Sequence, residues 1–108
     1  MCASFYRIQM EQWLKTIEVN AGVVIDVAAG DNHARKRIKS CKSKEYITID
    51  GDKKNNPDFV HNMNYFVDYE KLVGKQADVI FCLELMEYIW NPAITIFTLN
   101  NWLKPGGI

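Results

Sequence analysis

Little in this chain announces a compartment or a metal. It has only three cysteines, Cys2, Cys41 and Cys82, an odd number with no C-x-x-C pair. That argues against a disulfide framework and for a reduced, cytoplasmic setting, with the cysteines as small core or surface residues. Two histidines and scattered cysteines do not make a zinc site, so no metal is expected. The first ten residues lack the apolar core of a signal peptide and carry Arg7 and Gln9. No apolar run approaches the ~20 residues that cross a bilayer, so no membrane partner is expected. Neither sign of charge is in excess: 13 Lys+Arg balance 13 Asp+Glu. The balance removes the electrostatic argument for nucleic acid or an anionic membrane as a general partner. The basic cluster of Arg35, Lys36, Arg37, Lys39, Lys42 and Lys44 is the local exception, and it reads as the solvated face of a helix. No repeat, low-complexity segment or interior linker interrupts the 108 residues, so a single domain over 1–108 is expected.

What is present is an alternation of helix and strand patterns. Phe5, Ile8, Trp13, Leu14 and Ile17 recur at helical spacing and predict an amphipathic helix over 4–18, closed by Asn20-Ala21-Gly22. Val23 to Val27, apolar but for Asp26, reads as a strand of the kind found in parallel sheets covered on both faces. Asp31 or Asn32 is placed to cap a helix over 33–41. Residues 45–49 predict a second strand, and 51–57 a polar, turn-rich loop. A short third strand over 58–61, a helical turn over 68–72 closed by Gly74, and a buried strand over 77–83 follow. Pro92 opens a helix that reaches Leu103. Lys104-Pro105-Gly106-Gly107 stops it, and Ile108 reads as the first residue of another strand. Trp13, Trp90 and Trp102 are expected to be packing residues.

The stretch Val23-Val24-Ile25-Asp26-Val27-Ala28-Ala29-Gly30 stands out. An apolar strand runs into an acid and then into small residues, and twenty residues later Tyr46-Ile47-Thr48-Ile49 ends in Asp50. Small residues let backbone approach a ligand, and an acid closing the second strand can accept hydrogen bonds from ribose hydroxyls.

Four ordered segments between Val23 and Gly107 together resemble the class I S-adenosylmethionine-dependent methyltransferases. Val24 to Asn32 is similar to that family's acid-then-glycine-rich first motif, with Ala28 and Asn32 standing where it usually has glycine and Gly30 retained. Asp50 stands where the family places its ribose-binding acid. Asp78 to Ile89 looks like its fourth strand and the helix-opening stretch beyond, with Tyr88 where many relatives have His. Leu103 to Gly107 looks like the turn into its fifth strand. The resemblance implies an α/β fold, a Rossmann-like three-layer sandwich with a mainly parallel sheet, incomplete at the C-terminal side. The N-terminal helix then precedes a cofactor-binding core over 22–108.

It further implies S-adenosyl-L-methionine as cofactor and methyl transfer as activity. Asp26 then orders the turn and helps fix the methionine end, or simply hydrogen-bonds turn amides. Ala28 and Gly30 admit the ligand, Asp50 holds the ribose or caps a turn, and Asp52 is its backup. Asn62 contacts adenine or caps its loop; Met63 packs on the adenine face. Leu83 and Glu84 face the meeting point of cofactor and substrate, Glu84 alternatively being a helix-opening charge. His33 lies near the methionine tail or faces solvent. Glu84 and Tyr88 are the candidates for a catalytic base, should the acceptor need to lose a proton.

No Asn-Pro-Pro-Tyr-type segment follows the fourth strand, so a small-molecule acceptor is expected rather than a DNA base. Two other readings stay open. One is a NAD-dependent oxidoreductase, which an acid after the second strand also suits, although no G-x-G-x-x-G is present. The other is a non-catalytic fragment or partner subunit, with an oligomer or partner chain covering the open sheet edge.

Overall fold

The computed structural model describes residues 5–83 and 85–108. Its elements are α1 (Phe5–Leu14), β1 (Glu18–Val27), α2 (Ala34–Arg37), β2 (Ser40–Asp50), β3 (Phe59–Val60), α3 (Tyr69–Leu72), β4 (Val79–Cys82) and α4 (Pro92–Trp102). Single 3₁₀ turns cover Lys53–Asn55 and Met86–Tyr88. The protein is α/β, with four parallel strands in the order β3-β2-β1-β4. Among the described residues no helix is long and apolar enough to cross a membrane.

Period-two alternation along the strands divides the core into two. Ile25 and Val27 of β1, with Ile47 and Ile49 of β2, face one side and pack with Met63, Val73 and Trp102. Val24 and Phe81 face the other side and pack with Leu14, Ala34 and Ile38. Residues of α3 and α4 thus cover one face, and those of α1 and α2 the other. This double cover is why β1 is apolar at successive positions rather than at alternate ones. Each fully buried Val or Ile contributes about 1.5–3 kcal/mol of burial energy.

Several boundaries differ from the sequence expectations. The first helix ends at Leu14, and Asn20-Ala21-Gly22, expected to follow it as a breaker, lies inside β1. Pairing explains this: Glu18 to Ala21 align with Ser40 to Ser43 of β2, and ladder bonds outweigh the weak breaker signal. The same pairing draws Ser40 to Lys44 into β2, so the helix expected over 33–41 shrinks to the four residues of α2. Neither Asp31 nor Asn32 caps it. The N-cap is His33, which makes no side-chain cap bond. The basic cluster therefore does not form one helix face: Lys42 and Lys44 lie on β2.

The later elements stand close to expectation. Asp68 caps α3 by accepting from the Glu70 amide at 2.9 Å. Pro92 opens α4, and Trp102 at its end is wholly buried, donating Nε1–H to the Val67 carbonyl at 2.9 Å. Trp13 and Trp90, by contrast, are exposed, as are Phe5 and Ile8, so of the apolar positions predicted for α1 itself only Leu14 is buried. Ile108 hydrogen-bonds in both directions alongside β4: its amide donates to the carbonyl of Asp78, just before the strand, at 3.0 Å, and its carbonyl accepts from the Ile80 amide at 2.8 Å.

Candidate ligand-binding cleft

In the order β3-β2-β1-β4, the connection leaving β1 goes to one side and the later return comes to the other. Loops therefore splay apart at the carboxyl ends of β1 and β4, which is where parallel sheets open a crevice for ligand. Two clefts lie there. The first, of about 210 Å³, is lined by Arg7, Asp26, Gly30, Asp31, Arg37 and Leu83 among others. The second, of about 240 Å³, is lined by Asp50, His61, Asn62, Met63, Tyr88 and Ile89 among others. Ala28 lines both, so the turn after β1 forms the ridge between them.

One acid holds the turn and another holds the helix after it. Asp50, closing β2, accepts the Gly30 amide on Oδ2 at 2.8 Å. Its Oδ1 accepts the Asp52 amide at 2.8 Å and Asn55 Nδ2 at 3.2 Å. Asp26, at 2% exposure, points to the α1/α2 side of the sheet. One of its oxygens, Oδ2, accepts both the Ala34 amide at 2.7 Å and the Tyr46 hydroxyl at 2.6 Å. Burial pushes the Asp26 carboxyl above its ordinary value, with the Tyr46 and Ala34 hydrogen bonds and nearby cations pulling the other way. Burial and the same carboxylate push the Tyr46 hydroxyl above the ordinary phenol range, so it remains a donor. Arg35 sits over the Tyr46 ring at 4.7 Å. Ala28 and Gly30 both adopt left-handed backbone angles, φ 57° and 55°.

The residues singled out in the sequence thus fall around one ridge. Asp26, Gly30 and Leu83 lie on the first cleft and Asp50, Asn62, Met63 and Tyr88 on the second, with Ala28 between. Asp26 bonds the first amide of α2 rather than an amide of the turn. Asn62 caps its own loop, its Oδ1 accepting the Asn64 amide at 2.9 Å. Met63 is buried in the core while lining the cleft. Asp52 caps the 3₁₀ turn by accepting the Lys54 amide at 2.9 Å and is absent from the residues that line either cleft. Glu84 lies outside the described residues. His33 stacks on Tyr46 at 6.4 Å, and its Nδ1 is buried without a partner. Among the described residues no group of His, Cys, Asp and Glu is arranged to hold a metal ion.

Four further residues shape this region. Tyr46 was readable, because alternation puts it on the face opposite Ile47 and Ile49, with Asp26. Arg37, which sequence places on a solvated helix face, has a side chain 8% exposed, and its Nε donates to Glu11 Oε1 of α1 at 3.0 Å. Arg7 and His61 carried no sequence signal, since only the folded chain brings α1 and the end of β3 to the clefts. No family model, no curated protein and no solved structure matches the chain.

Proposed function

We propose that this chain is a class I S-adenosylmethionine-dependent methyltransferase domain, a Rossmann-like three-layer sandwich, that methylates a small-molecule acceptor in the cytoplasm. The observation that carries the reading is the pair of clefts meeting at Ala28, with a carboxylate at the end of β2 on one side and arginines on the other.

The chemistry of the lining suits the cofactor. Its nucleoside half needs a hydroxyl acceptor and an apolar wall for the base; Asp50 offers the first, and Met63 and Ile89 the second. Its amino-acid half carries an ammonium and a carboxylate; the first cleft holds acids, Asp26 and Asp31, and bases, Arg7 and Arg37. When bound, the cofactor supplies a methyl group on a positively charged sulfur, and that activation is its own. The protein's part is to grip both halves across the ridge, hold the acceptor in line, and keep water out. An acceptor that is already a good nucleophile needs no base. Where a proton must leave, Tyr88 on the second cleft is the described residue to take it, and Glu84 the other candidate.

The NAD reading has less support. A pyrophosphate would use the amides at the start of the helix after β1. That helix has four residues, and its first amide, Ala34, is already given to Asp26.

Calorimetric titration with S-adenosylhomocysteine, beside NAD, tests this. Saturable binding of S-adenosylhomocysteine alone is expected, weakened about tenfold or more by Asp50→Asn through loss of a charged acceptor. Binding of NAD instead, or of neither by the folded chain, overturns the reading.

A further inference from the structure

Helix α4 is inside out. Its sequence, Pro92-Ala93-Ile94-Thr95-Ile96-Phe97-Thr98-Leu99-Asn100-Asn101-Trp102, contains no charged residue. Its wholly buried positions are Thr95, Thr98 and Trp102, and the two threonine hydroxyls donate to the Met63 and Ile94 carbonyls, each at 2.8 Å. Its outward positions include Ile96, 58% exposed, and Phe97, 62% exposed. A surface helix ordinarily turns its apolar stripe inward and its polar residues out; one that is apolar all round is covered on both sides.

The uncovered face extends past the helix. The Phe97 ring lies 5.2 Å from that of Phe66. Together with Tyr65, Ala93, Ile94 and Asn64 they line an open apolar groove of about 560 Å³. Asn64 Oδ1 accepts the Trp90 amide at 2.7 Å, which brings Trp90, itself 77% exposed, to the same side. Scattered exposed apolar residues are normal, but a contiguous patch of this kind marks an interface.

We infer that this face is a self-association surface, on which a second copy of the chain packs α4 and the Phe66 loop against its own. Three observations select that occupant. Among the described residues no Lys, Arg, Asp or Glu lines the groove, so neither a charged protein partner nor a lipid surface, which is held by basic residues around an apolar face, is matched to it. The chain's formal net charge is zero, so two copies meet without net repulsion. A two-fold contact requires one patch to complement itself, and this one offers both a groove and projecting side chains to fill it. The exposed parts of Tyr65, Phe66, Trp90, Ile96 and Phe97 amount to roughly 450–750 Å², at ~150–250 Å² for a large side chain. That is close to the ~600 Å² a side at the lower end of specific interfaces. The contact lies on the α3/α4 side of the sheet and adjoins the second cleft, with which the groove shares Asn64.

Sedimentation equilibrium of the full chain over a wide concentration range tests the inference. The wild type is expected to pass from monomer to dimer. Phe97→Lys and Ile96→Lys are expected to weaken the dimer by about thirtyfold or more, as for a central interface residue, with unchanged circular dichroism. Trp13→Lys, on exposed α1, should dimerise as the wild type does. Concentration-dependent NMR shifts at Ile96 and Phe97, but not at Phe5 and Ile8, read the same surface without any substitution. A wild type that stays monomeric throughout, or a dimer broken by Trp13→Lys and not by the α4 variants, overturns it.

Discussion

The Asp50 carboxylate accepts the Gly30 amide at 2.8 Å, a bond between residues twenty positions apart. It fastens the carboxyl end of β2 to the turn after β1, and so sets the width of the ridge between the two clefts. The other carboxylate oxygen holds Asp52 and Asn55. Asp50→Ala is therefore expected to cost about 1.5–3 kcal/mol of stability in denaturant unfolding, as lost hydrogen bonds to a charged group do. Asp50→Asn keeps an acceptor and is expected to cost less. Equal costs for the two would mean that the hydrogen bonds are not what the site needs.

Asp26 makes stability depend on pH in a defined direction. Its folded carboxyl is raised above 3.8, chiefly by burial, so the folded state holds this proton more tightly than the unfolded one. Its contribution is complete at low pH, declines as pH rises from the ordinary carboxylate value through the raised one, and is level above that. Asp26→Asn is expected to abolish that decline, so the variant gains on the wild type as pH rises across the window. Unfolding free energies of the two proteins measured between pH 3 and 8 give the difference directly; a difference that is flat or of opposite slope refutes the assignment.

Tyr46 supplies one of the two bonds to the Asp26 oxygen. Tyr46→Phe is expected to destabilise by about 1–3 kcal/mol, because a buried carboxylate loses a donor. It should also widen the window of the Asp26 decline, since the hydroxyl is the leading group that lowers the carboxyl's pKa. Chemical denaturation at two pH values measures both effects.

Ala28 and Gly30 share left-handed backbone angles, but only one of them is glycine. A side chain in that region costs about 1–2 kcal/mol. Ala28→Gly is expected to raise stability by up to about 1 kcal/mol, the relief being offset in part by the greater freedom of glycine in the unfolded chain. Gly30→Ala should cost about 1 kcal/mol through strain alone, as among the described residues nothing beyond its chain neighbours lies within 4 Å of the added carbon. Thermal melts decide: an Ala28→Gly variant that melts lower than the wild type contradicts the account.

Gly107 is a case of space rather than angle. A β-carbon there would stand 2.8 Å from the Leu103 side chain and 3.0 and 3.1 Å from the Lys104 and Asp78 carbonyl oxygens. Two of these neighbours are backbone and cannot swing away. Gly107→Ala should therefore cost about 1–3 kcal/mol, with the loss traced by hydrogen exchange at Ile80, whose amide bonds Ile108.

Composition and periodicity carried the α/β reading because they record burial that every residue of a strand or helix shares. Val23 to Val27 reads as a strand covered on both sides, and Pro92 as the opening of a helix, and both elements are present. The two acids were readable too, since each closes an apolar run. Boundaries were less so. Asn20-Ala21-Gly22 looks like a stop when read locally; what holds Asn20 and Ala21 in the strand is their pairing with Lys42 and Ser43, more than twenty residues away.

What the sequence alone determined, then, was the kind of element and the small-residue turn that follows the acid near the end of the first strand, because side-chain size, backbone freedom and alternation are local properties. Which strands neighbour one another, that Ala28 separates two clefts, that Arg7 and His61 reach them, and that α4 turns its apolar residues to water were decided only in the folded chain. Those depend on pairing and packing between segments distant in sequence, whose free energies appear only once the segments meet.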